Sequence, residues 1–321
     1  MPNYQGVWSL STQYQAQGDG NWPVVLSGDI ALVFGNSEGT KLASIDYFTI
    51  TSTGNAADFG DMSSARGGLA ALGNETRGIT AGGNDTGPLN VIEFVTFKIP
   101  SNTTDFGDLS ETANNPTGAA SSTRGIFAKL GNLYNSSGAN KIEYITIATT
   151  GNTTDFGDTT VARQMDDAAA TSTTRAVFCG GYDGTRSNVM DYITMASTGN
   201  ATDFGDLTVG RNAVAATSSS TRGVMAGGYG SSGRVNTIDY ITIASTGNAT
   251  DFGDLSITKY GAGGTSNSVI GVFCGGNNGA TQLTDIEQVT IATTANATDF
   301  GDLTTGRYLG AACSNAHGGL Q

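Results

Sequence analysis

RNAVAATSSSTRGVMAGGYGSSGRVNTIDYITIASTGNATDFGDL, residues 211–255, divides at its own turn signals into four short apolar runs. Residues 212–217 (NAVAAT) read as a first strand, 218–221 as a turn, and 222–228 (RGVMAGG) as a second strand ended by paired glycines. A Gly/Ser loop then leads to a third run at 237–244 (TIDYITIA). After the turn 245–248, a fourth run at 249–255 carries Asp-Phe-Gly-Asp. The third run is bulky at neighbouring positions, so it is apolar on both faces, as a sheet stacked between two others requires.

Working outward, Asp-Phe-Gly-Asp recurs at Asp58, Asp105, Asp155, Asp203, Asp251 and Asp299, at spacings of 47, 50, 48, 48 and 48 residues. A fixed period of this size marks a stacked or circular repeat, and four strands per period is the blade of a β-propeller. The expected fold is all-β: a six-bladed β-propeller of four-stranded blades over residues 28–321, preceded by an arm at 1–27. The repeats open on a second-type strand at 30–35 (IALVFG) and finish on a first-type strand at 307–313 (RYLGAAC). The C-terminal strand is therefore expected to complete the first blade and shut the ring, removing an open edge. Each phenylalanine of the tetrapeptide is read as a plug between blades, stabilising by about 1.5–3 kcal/mol when buried. Its glycine permits a bend or a positive φ.

The net charge of −13 argues against a nucleic-acid groove, which needs clustered Lys and Arg. Nine of the 15 basic residues are locked to the repeat: Arg66, Arg163, Arg211, Lys259 and Arg307 before first strands, and Arg77, Arg124, Arg175 and Arg222 before second strands. Eighteen of the 28 acids are locked too, twelve in the tetrapeptides and six at Asp46, Glu93, Glu143, Asp191, Asp239 and Glu287. Most charge is thus architectural. Cys179 and Cys274 hold the same place in different repeats, so they read as buried hydrophobes rather than a bridge. No run of about 18 apolar residues offers a membrane span, and no leader pattern is present. The reading is cytoplasmic synthesis without export, which makes the Asn-x-Thr triplets turn residues rather than glycan sites.

An apolar strand ending in Gly-Gly, a variable loop, a strand with a central Tyr, a strand with an aromatic and then Gly-Arg resembles Kelch-type repeats and the central propeller of galactose oxidase. The residues are Gly180, Gly181, Tyr192, Phe204, Gly210 and Arg211 in one unit, and Gly227, Gly228, Tyr240 and Phe252 in the next. The wording TIASTGNATDFGDL is similar to propeller repeats of structural and tail-associated proteins of marine bacteriophages. The resemblance implies a virion component, tail or tail-fibre associated and assembled in the host cytoplasm. Its partners would be other virion proteins and a host-surface glycan or protein, with oligomerisation through particle symmetry. The third repeat departs most: Asn115-Pro116 stands where Gly-Arg is expected and Lys129-Leu130-Gly131 replaces Gly-Gly, while in the sixth Gln288 replaces the Tyr.

Asp-Phe-Gly is also a kinase metal-binding triplet, but six copies at blade period with no accompanying kinase motif refute that reading. Asp pairs such as Asp251 and Asp254 raise Ca²⁺ as an alternative to a structural role. The structural reading has one carboxylate capping the turn and the other meeting the arginine that leads a first strand. Asp166-Asp167 is weighed as a glycosidic pair and set below a solvated loop. His317 is the only histidine and lies in a Gly-rich tail, so no His-based triad or metal centre is expected. The expectation is a non-enzymatic protein without cofactor, metal, nucleic acid or membrane insertion. A carbohydrate-active enzyme and a cellular Kelch-like scaffold are the alternatives.

Binding residues are sought where the repeat breaks. The loops after the second strands vary most and are expected on one face of the disc, offering Tyr134, Tyr182, Arg186, Tyr229, Arg234 and Asn277 for sugar stacking or protein contact. The competing reading is that nothing constrains these loops. The arm holds Tyr4, Trp8, Tyr14 and Trp22 as attachment candidates, or it packs on its own propeller.

Overall fold

A computed structural model describes residues 25–36, 40–128, 140–164 and 169–320. They form an all-β protein of six four-stranded antiparallel sheets and one small three-stranded sheet. In sheet 2 (residues 67–113), sheet 3 (117–158), sheet 4 (169–206), sheet 5 (215–254) and sheet 6 (263–307) the strands lie side by side in chain order. Sheet 5 shows the pattern: Ala215–Ser218, Arg222–Ala226, Thr237–Thr242 and Thr250–Asp254, in the order expected from the sequence. Sheet 1 is assembled from both ends of the described chain. Ala311–Ser314 pairs with Ile30–Phe34, matching Leu32 to Cys313 and Val33 to Ala312.

All six sheets slip register at one place. Ile238 faces Gly253 and Asp239 faces Asp251, so Phe252 is the extra residue of a β-bulge, and the other five sheets repeat the slip. A bulge bends its strand and re-aims a side chain. Here it supports the burial of Phe59, Phe106, Phe156, Phe204, Phe252 and Phe300, each only 2% exposed. The glycine that follows takes φ between 139° and 153° in every copy. A Cβ on Gly253 would stand 2.5 Å from the Ala295 carbonyl oxygen of the next repeat. The tetrapeptide also grips that neighbouring turn, because the Asp254 N–H donates to Asn296 Oδ1 at 3.1 Å. Five equivalent bonds join the other sheets in succession, ending with Asp302 N–H to Asn55 Oδ1.

Six apolar clusters fill the gaps between neighbouring sheets. Phe252, Leu255, Phe273 and Ile291 join sheets 5 and 6, while Phe300, Val272, Phe48 and Ile50 join sheet 6 to sheet 1. The remaining four follow the same scheme. First strands touch one another in succession, and the last touches the first. At their far ends hydroxyls stitch them together: Ser218 Oγ donates to Thr171 O (2.8 Å), Ser266 Oγ to Ser218 O (2.7 Å) and Ser314 Oγ to Ser266 O (2.5 Å). The equivalent positions in sheets 2 and 3 are Gly73 and Ala120, which carry no hydroxyl. The tail fills that place. His317 Nε2 bonds Gly73 O at 2.7 Å, its Nδ1 accepts the Gly319 N–H at 3.1 Å, and Gly319 lies against Ala120 O.

Candidate functional site

At the opposite ends of the first strands, short ladders root the variable loops. In four repeats the residue after the leading base pairs with the residue after Gly-Gly: Gly67 with Asn84, Gln164 with Tyr182, Asn212 with Tyr229 and Tyr260 with Asn277. In sheet 5 the ladder grows into the three-stranded sheet of Arg211–Asn212, Tyr229–Gly230 and Gly233–Arg234. These loops are therefore tied at their roots to the first strands.

The ladders bring four of the sequence-predicted residues into one row. The Arg186 guanidinium lies 4.9 Å from the Tyr182 ring centre and 5.0 Å from that of Tyr229. Arg234 lies 5.8 Å from Tyr229 and 5.6 Å from Tyr260. The row continues edge to face from Tyr229 to Tyr260 (5.3 Å) and from Tyr260 to Tyr308 (4.8 Å). Such cation–π contacts contribute about 0.5–2 kcal/mol each. Among the described residues neither arginine has a carboxylate partner within ion-pair range.

A polar cavity of about 240 Å³ opens beside this row, lined by Asn115, Gln164, Tyr182, Arg186, Asn212, Ala213, Tyr308 and Leu309. Asn115, Ala213 and Leu309 are the three described non-glycine residues with positive φ, at 58°, 53° and 48°. They belong to a set of equivalent positions with Gly68 and Gly261 that bond head to tail. Gly68 N–H donates to Leu309 O, Leu309 N–H to Gly261 O, Gly261 N–H to Ala213 O, and Asn115 N–H to Gly68 O. The left-handed conformation costs an L-residue on the order of 1 kcal/mol, so the rim of this cavity holds local strain. Asn115 is 6% exposed, and its Oδ1 has no hydrogen-bond partner among the described residues.

Tyr260, Tyr308, Gln164, Asn212 and Asn115 were not among the sequence candidates. A cue was present for four of them. Gln164, Asn212, Tyr260 and Tyr308 each follow a leading base, and that position changes identity between repeats while the base does not. Asn277 is corrected from surface candidate to loop-shaping residue. It is only 9% exposed, pairs with Tyr260 and Gln282, and its Oδ1 accepts the Gly279 N–H. Tyr134 of the loops, Tyr4, Trp8, Tyr14 and Trp22 of the arm, and Asp166-Asp167 lie outside the described residues.

Two further expectations are corrected. The leading bases meet the third-strand acid, not the Asp of the tetrapeptide: Arg66–Glu93 (2.8 Å), Arg163–Asp191 (2.6 Å), Arg211–Asp239 (3.0 Å), Lys259–Glu287 (2.7 Å) and Arg307–Asp46 (2.6 Å). Burial lowers the pKa of Arg211 and Arg307, and Asp239 and Asp46 oppose that shift. In sheet 3 the place of the leading base belongs to Ala113 rather than Pro116, since Leu89 faces Ala113 as Leu283 faces Arg307. Glu143 there turns to Lys141 at 3.0 Å. Burial pushes Glu143 up, but hydrogen bonds from Ser110 and Thr153 outweigh it and hold the carboxyl below its ordinary value.

The second set of arginines is architectural, as expected. Arg175 stacks on Tyr192 and donates to Ile243 O in the next sheet, and Arg77, Arg124 and Arg222 repeat the arrangement. No group of three or more His, Cys, Asp or Glu side chains gathers as a metal site among the described residues. No family model matches the chain, and neither does any curated protein.

Proposed function

We propose that the chain is a six-bladed β-propeller, closed by its C-terminal strand, and that it serves as a non-enzymatic structural component of a bacteriophage particle. In this reading it is associated with the tail or tail fibre and recognises a partner through its loop face. Six equal sheets, the pairing of residues 311–314 with the first sheet and the succession of first-strand contacts support the fold. The phage source rests on the wording of the repeats.

The observation that carries the recognition role is where repeat symmetry fails. The architectural charges recur from sheet to sheet, whereas Tyr182, Arg186, Tyr229 and Arg234 collect in one sector of the loop face. The described lining of the cavity there has no Asp, Glu, His, Cys, Ser or Thr. Hydrolysis of a sugar needs two carboxylates across the bond, so this chemistry favours binding over turnover. Mass spectrometry of purified particles tests the proposal. The chain is expected at a fixed ratio to the other particle proteins. Its absence from particles while abundant in the same lysate would overturn the reading in favour of a cellular scaffold.

A further inference from the structure

We infer that the cavity beside Tyr182 and Arg186 is a binding site for one sugar ring that carries a carboxylate. The inference rests on the recognition role proposed above and names its ligand class. Size is the first constraint. At about 240 Å³ the cavity falls below the roughly 300–1,000 Å³ of sites for drug-sized ligands, so a single pyranose is the scale that fits.

The lining sets the chemistry. Asn115, Gln164 and Asn212 bring three carboxamides to the wall, and amides pair with vicinal hydroxyls as donor and acceptor at once. The rings of Tyr182 and Tyr308 supply flat surfaces for the C–H face of a sugar. An apolar ligand would leave the buried Asn115 Oδ1, which has no hydrogen-bond partner among the described residues, still unsatisfied, at a cost of about 1–3 kcal/mol.

The charge comes from Arg186. Every other described arginine except Arg234 is committed, either to a buried carboxylate or to backbone carbonyls of the next sheet. Arg186 is exposed, and Tyr182 and Tyr229 engage its guanidinium by cation–π contact. Cation–π contact does not use up the N–H donors of a guanidinium, whose planar fork suits a two-point grip on a carboxylate. On a chain of net charge −13, a cation with no carboxylate partner among the described residues, at a polar cavity, selects an anion locally against the field of the whole molecule.

Titration of the purified full-length chain with galacturonate, galactose and acetate, followed by NMR and calorimetry, tests this. Galacturonate is expected to bind at least about tenfold more tightly than galactose, and acetate is expected to give no saturable binding. Arg186→Gln should reduce galacturonate to the galactose level. Arg186→Lys should recover little of the loss, because an ammonium cannot make the two-point grip. Lys98→Gln, exposed and remote from the row and the cavity lining, should leave the affinity unchanged, which separates a local role from a general loss of charge. Equal binding of the two sugars, binding of acetate as tight as that of galacturonate, binding of neither sugar, or an Arg186→Gln variant with wild-type affinity would each overturn the inference. None of these results bears on the recovery of the chain with particles, so the two proposals fail separately.

Discussion

Arg163 and Asp191 meet at 2.6 Å with both side chains wholly enclosed, joining the approach to one sheet's first strand to the third strand of the same sheet. Arg163 Nε–H also donates to Gly180 O at 2.6 Å. Replacing Asp191 with Ala strands a guanidinium without water, and breaking a buried pair from one side costs about 3–5 kcal/mol. Urea unfolding of Asp191→Ala should show that loss. A loss under about 1 kcal/mol would mean that water reaches the pair.

The bulge phenylalanine and its glycine should fail in different ways. Phe252→Ala removes a ring shared between two sheets and should cost about 3–5 kcal/mol. Gly253→Ala keeps the ring but drives a methyl onto the Ala295 carbonyl at a φ of 147°, and should cost more than about 1 kcal/mol. Thermal melts of both variants check this; an unchanged Gly253→Ala melt would mean that the bulge can relax.

His317 should give the protein its acid sensitivity near neutrality. Burial holds the pKa of its imidazole below the usual 6.5, with the Gly73 carbonyl opposing. Above about pH 6.5 the ring is neutral in both the folded and unfolded chain, so its contribution is fully present there. As pH falls below 6.5 the unfolded chain takes up a proton that the folded chain resists. Stability then declines until the folded pKa is passed. No other histidine exists, so His317→Gln should flatten the melting temperature between about pH 5 and 7. A wild-type profile already flat over that range would contradict the tail contact.

The three thiols should be silent in the native protein. Cys179, Cys274 and Cys313 are buried and form no disulfide, and burial pushes the first two up to about 12. A chromogenic disulfide reagent should register three thiols only after denaturation. Rapid reaction of the folded chain would show an opening that the packing does not contain.

Period, strand order and the phenylalanine plug were legible because each is written six times, and repetition separates architecture from accident. The partner of the leading arginines was not. Asp203 lies on the fourth strand, the outer edge of its sheet, where a carboxylate stays hydrated, whereas Asp191 lies one strand deeper and needs the guanidinium. Sequence spacing does not carry that depth. The loop candidates Tyr182, Arg186, Tyr229 and Arg234 were found by their variation. Tyr260 and Tyr308 were missed because they sit beside locked bases, inside stretches that otherwise read as scaffold. Asn277 was over-read for the converse reason: its loop varies, but the residue itself roots the loop.

Closure of the ring is the claim on which the proposed function stands, because a closed ring would bring the variable loops to one face. The measurement that tests it most directly is thermal unfolding of a chain ending at residue 306, which lacks the strand Ala311–Ser314 and the His317 contact. Without that strand, Ile30–Phe34 is left with an open hydrogen-bonding edge and the cluster between sheets 6 and 1 loses Ala312. The account predicts that the shortened chain aggregates or shows no cooperative transition. A soluble product that melts at the temperature of the full-length protein would contradict it.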